Sequence, residues 1–108
     1  MWLINKGGFI SLVQHRDDPS KIRARARRRE HLEDTLHLEP DEIIDLGPDA
    51  PDYRWHADVS RMVVIWAMAN AVDQLDYTSH AKEAMAGDDK VFYDALLGCW
   101  RELETLQR

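Results

Sequence analysis

One cysteine, no apolar run longer than eight residues, no glycine-rich phosphate loop and no internal repeat set the first limits on this chain of 108 residues. Cys99 has no partner for an internal disulfide, so burial alone must hold the fold, and a reducing compartment is expected. The first residues carry no basic stretch followed by a continuous apolar segment, which argues against a secretory signal and for a cytoplasmic location. The longest apolar run, residues 62–69, is well short of the roughly 20 residues that span a bilayer. No membrane partner is expected. Without repeats or interdomain linkers, the length fits one domain, which at this size buries roughly two-thirds of its unfolded surface. A single α+β domain over residues 1–108 follows, with residues 1–59 mostly strands around one helix and residues 60–108 helical.

What the chain does carry is charge, unevenly placed. Residues 1–30 hold eight basic side chains against three acidic, a balance of +5, whereas residues 31–108 hold six against seventeen, a balance of −11. The basic half can steer an anionic partner or pair internally.

The local patterns give the elements. Trp2-Leu3-Ile4 and Phe9 to Val13 are β-prone, and Gly7-Gly8 between them suits a tight hairpin turn. Residues 21–27 alternate strictly between basic and small apolar side chains. Over residues 28–38 the period changes, with Leu32 and Leu36 four apart as on a surface helix, and Pro40 stops it. Residues 42–46 read as a short edge strand, and residues 53–59 alternate again, with Tyr53, Trp55, Ala57 and Val59 on one side. Ser60 is a natural N-cap for a helix over residues 61–75 that is apolar nearly all round and is therefore expected to be the most buried element. Thr78 or Ser79 would cap a short helix ending near Gly87. Asp88 or Asp89 would cap a last helix with Phe92, Leu96, Cys99, Trp100, Leu103 and Leu106 along one side.

Setting aside the first short strand, the order is β-β-α-β-β-α, a circularly permuted ferredoxin-like arrangement: an antiparallel sheet with helices on one face, followed by C-terminal helices. Residues 21–27 and 53–59 are its two central strands. Ile22, Ala24 and Ala26 then join Tyr53, Trp55, Ala57 and Val59 under the helices, and Lys21, Arg23, Arg25 and Arg27 stand on the open face beside Arg54, His56 and Asp58. A register slip of one residue would bury four cations at several kcal/mol each unless paired, so the outward orientation is preferred.

Lys21, Arg23, Arg25, Arg27, Arg54 and His56 are accordingly the candidate binding residues. Cationic heads two residues apart on a strand lie about 7 Å apart, close to a phosphate repeat. A nucleic-acid backbone, a nucleotide or an acidic protein would suit them; the plainer reading is a solvated face whose arginines pair with nearby carboxylates. Tyr53 and Trp55 are expected to point inward, leaving no aromatic on the open face to stack a base. His31 and His37 are six apart, not the four that brings two ligands together on a helix, so both read as solvated helix charge and no metal is assigned. His56 beside Asp58 has the form of a base held by a carboxylate, but no nucleophile accompanies it, so no catalytic residue and no cofactor are assigned. His15 and His80 have no companions that imply chemistry. Cys99, Trp66 and Trp100 read as core, and an exposed last helix would instead offer a seam for a homodimer.

Met1-Trp2-Leu3, Gly8-Phe9, Ser11-Leu12-Val13, Arg16-Asp17-Asp18-Pro19, Arg23-Ala24-Arg25, Asp52-Tyr53-Arg54-Trp55, Val59-Ser60-Arg61, Asp76-Tyr77 and Trp100 together resemble a family of small proteins found in bacterial and actinophage genomes. The resemblance spans nearly the whole chain. It departs at Thr78-Ser79-His80-Ala81-Lys82, where the family pattern runs closer to Asn-Phe-Lys. It implies a compact stand-alone protein and no particular reaction. Three functions from different classes are consistent with these residues: a binding or regulatory module using the arginine strand, an inhibitor of a host or defence enzyme whose acidic half mimics nucleic acid, and a small phosphate-ester enzyme built on His56 and Asp58.

Overall fold

The computed structural model describes residues 1–107, which form two compact units, residues 1–75 and residues 76 onward. The first is an α+β layer pair. Its strands are β1 (Trp2–Asn5), β2 (Gly8–Gln14), β3 (Lys21–Ala26), β4 (Ile44–Asp45) and β5 (Trp55–Ser60), all antiparallel in the order β1-β2-β3-β5-β4. Helices α1 (Arg29–Leu36) and α2 (Arg61–Asp73) pack on one face.

The β1–β2 hairpin turns through Lys6-Gly7, with Asn5 paired to Gly8. The β2–β3 connection is held by Asp18, whose carboxylate accepts from the Ser20 amide and hydroxyl at 3.0 and 2.6 Å. The Ser20 hydroxyl is the main cause of a lowered Asp18 pKa. β3 is an inner strand because its Ala24 and Ala26, fully buried, let the helices approach the sheet closely. The core gathers Ile10, Leu12, Ala24, Ala26, Ala57 and Val59 from the sheet with Leu32 and Leu36 of α1, Leu38, and Val64 and Ala67 of α2. Helix α1 stops at Leu36, ahead of Pro40, because His37 takes a left-handed conformation (φ 56°). Pro40–Glu42 then forms a 3-10 turn in which Glu42 accepts from the Glu39 amide at 2.8 Å. Ser60 caps α2, its Oγ accepting from the Val63 amide at 3.4 Å.

Helix α2 is not the most buried element. Only Val64 and Ala67 are buried, whereas Met62, Ile65 and Val72 are more than half exposed and Trp66 is 71% exposed. The physical reason is that this unit supplies neighbours along one stripe of α2 alone, so apolar composition around the helix overstates its burial. An open groove of about 450 Å³ runs between α1 and α2, lined by Leu36, His37, Met62, Val63, Trp66, Ala67 and Asn70.

The second unit holds α3 (Ala81–Ala86), α4 (Lys90–Leu103) and a 3-10 turn over Glu104–Gln107. Asp89 caps α4 by accepting from the Phe92 amide at 2.9 Å. At the start of α3 the N-cap is His80 in a left-handed conformation, not Thr78 or Ser79. Phe92 and Leu96 are buried, but the stripe does not continue inward: Cys99 is exposed, Trp100 is 53% exposed and Leu103 and Leu106 more so. Cys99, Trp66 and Trp100 are therefore not core residues. No described helix is long and apolar enough to cross a membrane.

Candidate functional site

Register decides which side chains share a face. In an antiparallel pair, directly opposite residues project to the same side. Trp2 lies opposite Ser11, Ser11 opposite Arg25, Arg25 opposite His56, and His56 opposite Ile44, so one row crosses all five strands on the face away from the helices. The next row is Val13, Arg23 and Asp58. Ile22, Ala24 and Ala26 pair with Val59, Ala57 and Trp55 on the helix side. Lys21, Arg23, Arg25 and His56 are thus brought together on the open face, as the alternation of residues 21–27 predicts.

Each arginine there has a partner. Arg23 grips Asp58 through Nε and Nη2 at 2.9 and 3.1 Å. Arg27 donates to Asp52 at 2.9 Å, and its guanidinium stands 4.5 Å from the Tyr53 ring centre. Arg25 lies over the same ring at 4.8 Å and donates to the buried Ser11 Oγ at 2.8 Å. Arg54 leaves the group. Its guanidinium holds Asp45 at 2.7 and 2.9 Å and lies 4.6 Å above Trp55, whose strand position belongs to the helix side.

The aromatic content of this face corrects the inward placement of Tyr53. Its ring contacts Phe9 edge-on at 6.3 Å, and Phe9 contacts Trp2 edge-on at 5.6 Å, so three aromatics underlie and flank the arginines. Period-two alternation fails at Tyr53 because the backbone bends at Asp52 and Arg54 and β5 begins only at Trp55. Trp55, like Ala57 and Val59, keeps its expected side, packed against the core.

Two histidines also have roles that spacing did not reveal. His15 Nδ1 accepts from the amides of Asp17 and Asp18, both at 3.1 Å, which leaves the ring proton on Nε2, 3.6 Å from Asp58. His15 is therefore a companion of the Arg23–Asp58 pair, and its ring orients the β2–β3 connection. His31 is not a solvated helix charge: its Nδ1 accepts from the Phe9 amide at 3.2 Å, tying α1 to the hairpin. Arg61, which the sequence names only as a helix start and within the Val59-Ser60-Arg61 motif, joins α2 to the β2–β3 connection through Pro19 O at 2.6 Å and Gln14 Oε1 at 2.7 Å.

The electrostatics follow from these pairs. Hydrogen bonding to Arg23 holds the Asp58 carboxylate below its ordinary pKa, and Arg54 with the Gly47 amide holds Asp45 at about 2. Burial, followed by the charges of Arg23 and Arg25, pushes His56 below its ordinary 6.5. A depressed folded-state pKa means that folding favours neutral His56. Its contribution to stability is complete above pH 6.5 and is lost as pH falls through the lower folded value. Arg23→Gln removes one of the two repelling charges and is expected to raise the His56 midpoint, read from its imidazole proton shifts in an NMR titration. An unchanged midpoint would show that the Arg23 charge does not reach the ring.

No protein-family model, curated protein or solved structure matches this chain.

Proposed function

We propose that the arginine face of the sheet binds an anionic polymer and that the protein acts as a non-catalytic binding or regulatory module. The observation that carries this reading is the cluster of cationic side chains on one face of the sheet above a packed aromatic base. Arg23 and Arg27 keep 38% and 58% of their side chains accessible, and Lys21 beside them is exposed. Their partners do not bar a ligand. An exposed arginine–carboxylate pair is worth about 0–1 kcal/mol, so a phosphate or sulfate can replace the carboxylate at small cost. Arg25 plays a different part: clamped between Ser11 and Tyr53, it stiffens the base and holds positive charge under the ligand.

The same geometry favours binding over reaction. The His15 Nδ1 lone pair is taken by two backbone amides, and the Ser11 hydroxyl is buried under Arg25, so this pair presents no free nucleophile beside a free base.

Amide NMR during a titration with heparin maps the surface directly. Shifts are expected in β2 and β3 and at the Nε–H groups of Arg23 and Arg27, with His56 titrating higher because a nearby anion favours its charged form. Shifts confined to α2, α3 and α4, or none at all, would remove the reading.

A further inference from the structure

Trp2 is the one large aromatic on the arginine face that stands mostly free: 70% of it is exposed, although it sits in the same cross-strand row as Ser11, Arg25 and His56. Its backbone is nonetheless tied into the sheet. The N-terminal ammonium of Met1 donates to Leu12 O at 2.8 Å, the Leu12 amide donates to Met1 O at 2.7 Å, and Phe9 meets the indole edge-on at 5.6 Å. Phe9 in turn rests on Tyr53, and Tyr53 carries Arg25 and Arg27. An indole with open surface, linked through Phe9 and Tyr53 to the guanidinium groups of Arg25 and Arg27, combines a flat stacking surface with nearby positive charge. Planar bases with anionic linkages are the chemistry that uses both.

We infer that the anionic polymer is single-stranded nucleic acid, with an unpaired base stacked on Trp2 and the flanking phosphates on Lys21, Arg23 and Arg27. This rests on the arginine-face reading and narrows it. In a duplex the bases are stacked on each other and closed to an indole, so duplex binding would draw on the charges alone. A base–aromatic stack removed by alanine substitution costs about 5-fold in affinity at the low end and more than 100-fold at the high end.

The test compares four fluorescently labelled probes by anisotropy in one buffer: a 12-nucleotide oligo(dT), a 12-nucleotide oligo(U), a 12-base-pair duplex and heparin. Both single strands are expected to bind more tightly than the duplex, whichever sugar they carry. Trp2→Ala is expected to weaken them by about 5-fold or more, and heparin by a much smaller factor. Trp2→Phe, which keeps a ring, is expected to retain most of the affinity, and the exposure of Trp2 makes both variants compatible with the fold. Salt-sensitive heparin binding with the duplex matching the single strands, or with Trp2→Ala indistinguishable from the unmodified protein, overturns the stacking inference and leaves the arginine face standing. Failure of all four probes to bind overturns the arginine face itself.

Discussion

Gly8→Ala is expected to destabilise the first unit by about 3 kcal/mol or more, which lowers its melting temperature by about 12 °C or more. Two separate costs meet at this position. Its φ of +123° lies outside the range L side chains adopt, and an added Cβ would collide with Cγ and Cδ2 of His31. The ring has no easy retreat, because His31 Nδ1 is bound to the Phe9 amide and the neighbouring Leu32 is fully buried. The adjacent Gly7 is similarly crowded, with an added Cβ falling 2.7 Å from Thr35 Oγ1, so the whole hairpin turn is pressed against α1. Gly87 supplies the control: its φ is +56°, yet an added Cβ meets nothing within 4 Å. With ψ at −124° the backbone is also outside the left-handed helical region, so Gly87→Ala should cost about 1–3 kcal/mol, the conformational penalty without the clash. Equal losses at the two positions, followed by thermal and denaturant unfolding, would show that the His31 contact does not matter.

This hairpin also shows how much could be read in advance. The Gly7-Gly8 turn and the two strands were legible because turn chemistry is local. The face assignment of β3 was legible for a different reason, namely that burying four cations is so costly that only one register survives. The observed pairings of Arg23 with Asp58 and Arg25 with His56 are that register. Contacts across long sequence separations were not legible. His31 and Phe9 are 22 residues apart, and nothing in the spacing of either signals that one accepts a hydrogen bond from the other. His15 was hidden in the same way, since its partner Asp58 lies on another strand.

Two further differences between sequence pattern and structure have identifiable causes. Period-two alternation carries Tyr53 to the helix side only if β5 is extended past the point where the chain is pleated, and that extension hides the aromatic base of the face. Helix α2 and the end of α4 were read as buried because their compositions are apolar. Composition reports how much surface a helix could bury, whereas burial depends on how many neighbours surround it. Met62, Ile65, Trp66 and Val72 on α2, and Trp100 and Leu103 on α4, remain exposed.

The arginine face makes a second large effect. Arg25 is held by Ser11 and Tyr53, and Arg54 stands off this face against Asp45 and Trp55, which leaves Lys21, Arg23 and Arg27 as the accessible cations of the 21–27 segment. Counterion release gives about −0.7 in the slope of log affinity against log salt for each phosphate neutralised on a single strand, so three contacts imply a slope of about −2. Replacing all three with glutamine keeps the strand, its alternation and the Ala24 and Ala26 contacts, and removes the charges together with the exposed Arg23–Asp58 and Arg27–Asp52 pairs, each worth about 0–1 kcal/mol. Such a change should weaken binding by roughly two orders of magnitude at low salt, since charge-assisted hydrogen bonds contribute on the order of 1 kcal/mol or more each.

The most direct measurement is therefore the affinity for a 12-nucleotide oligo(dT) across a salt series, for the unmodified protein and for Lys21→Gln/Arg23→Gln/Arg27→Gln together. A slope near −2 that collapses toward zero in the triple variant, with cooperative unfolding retained, is the predicted result. Binding that does not respond to salt, or a slope that survives the loss of all three charges, would contradict the assignment of this face as the binding surface.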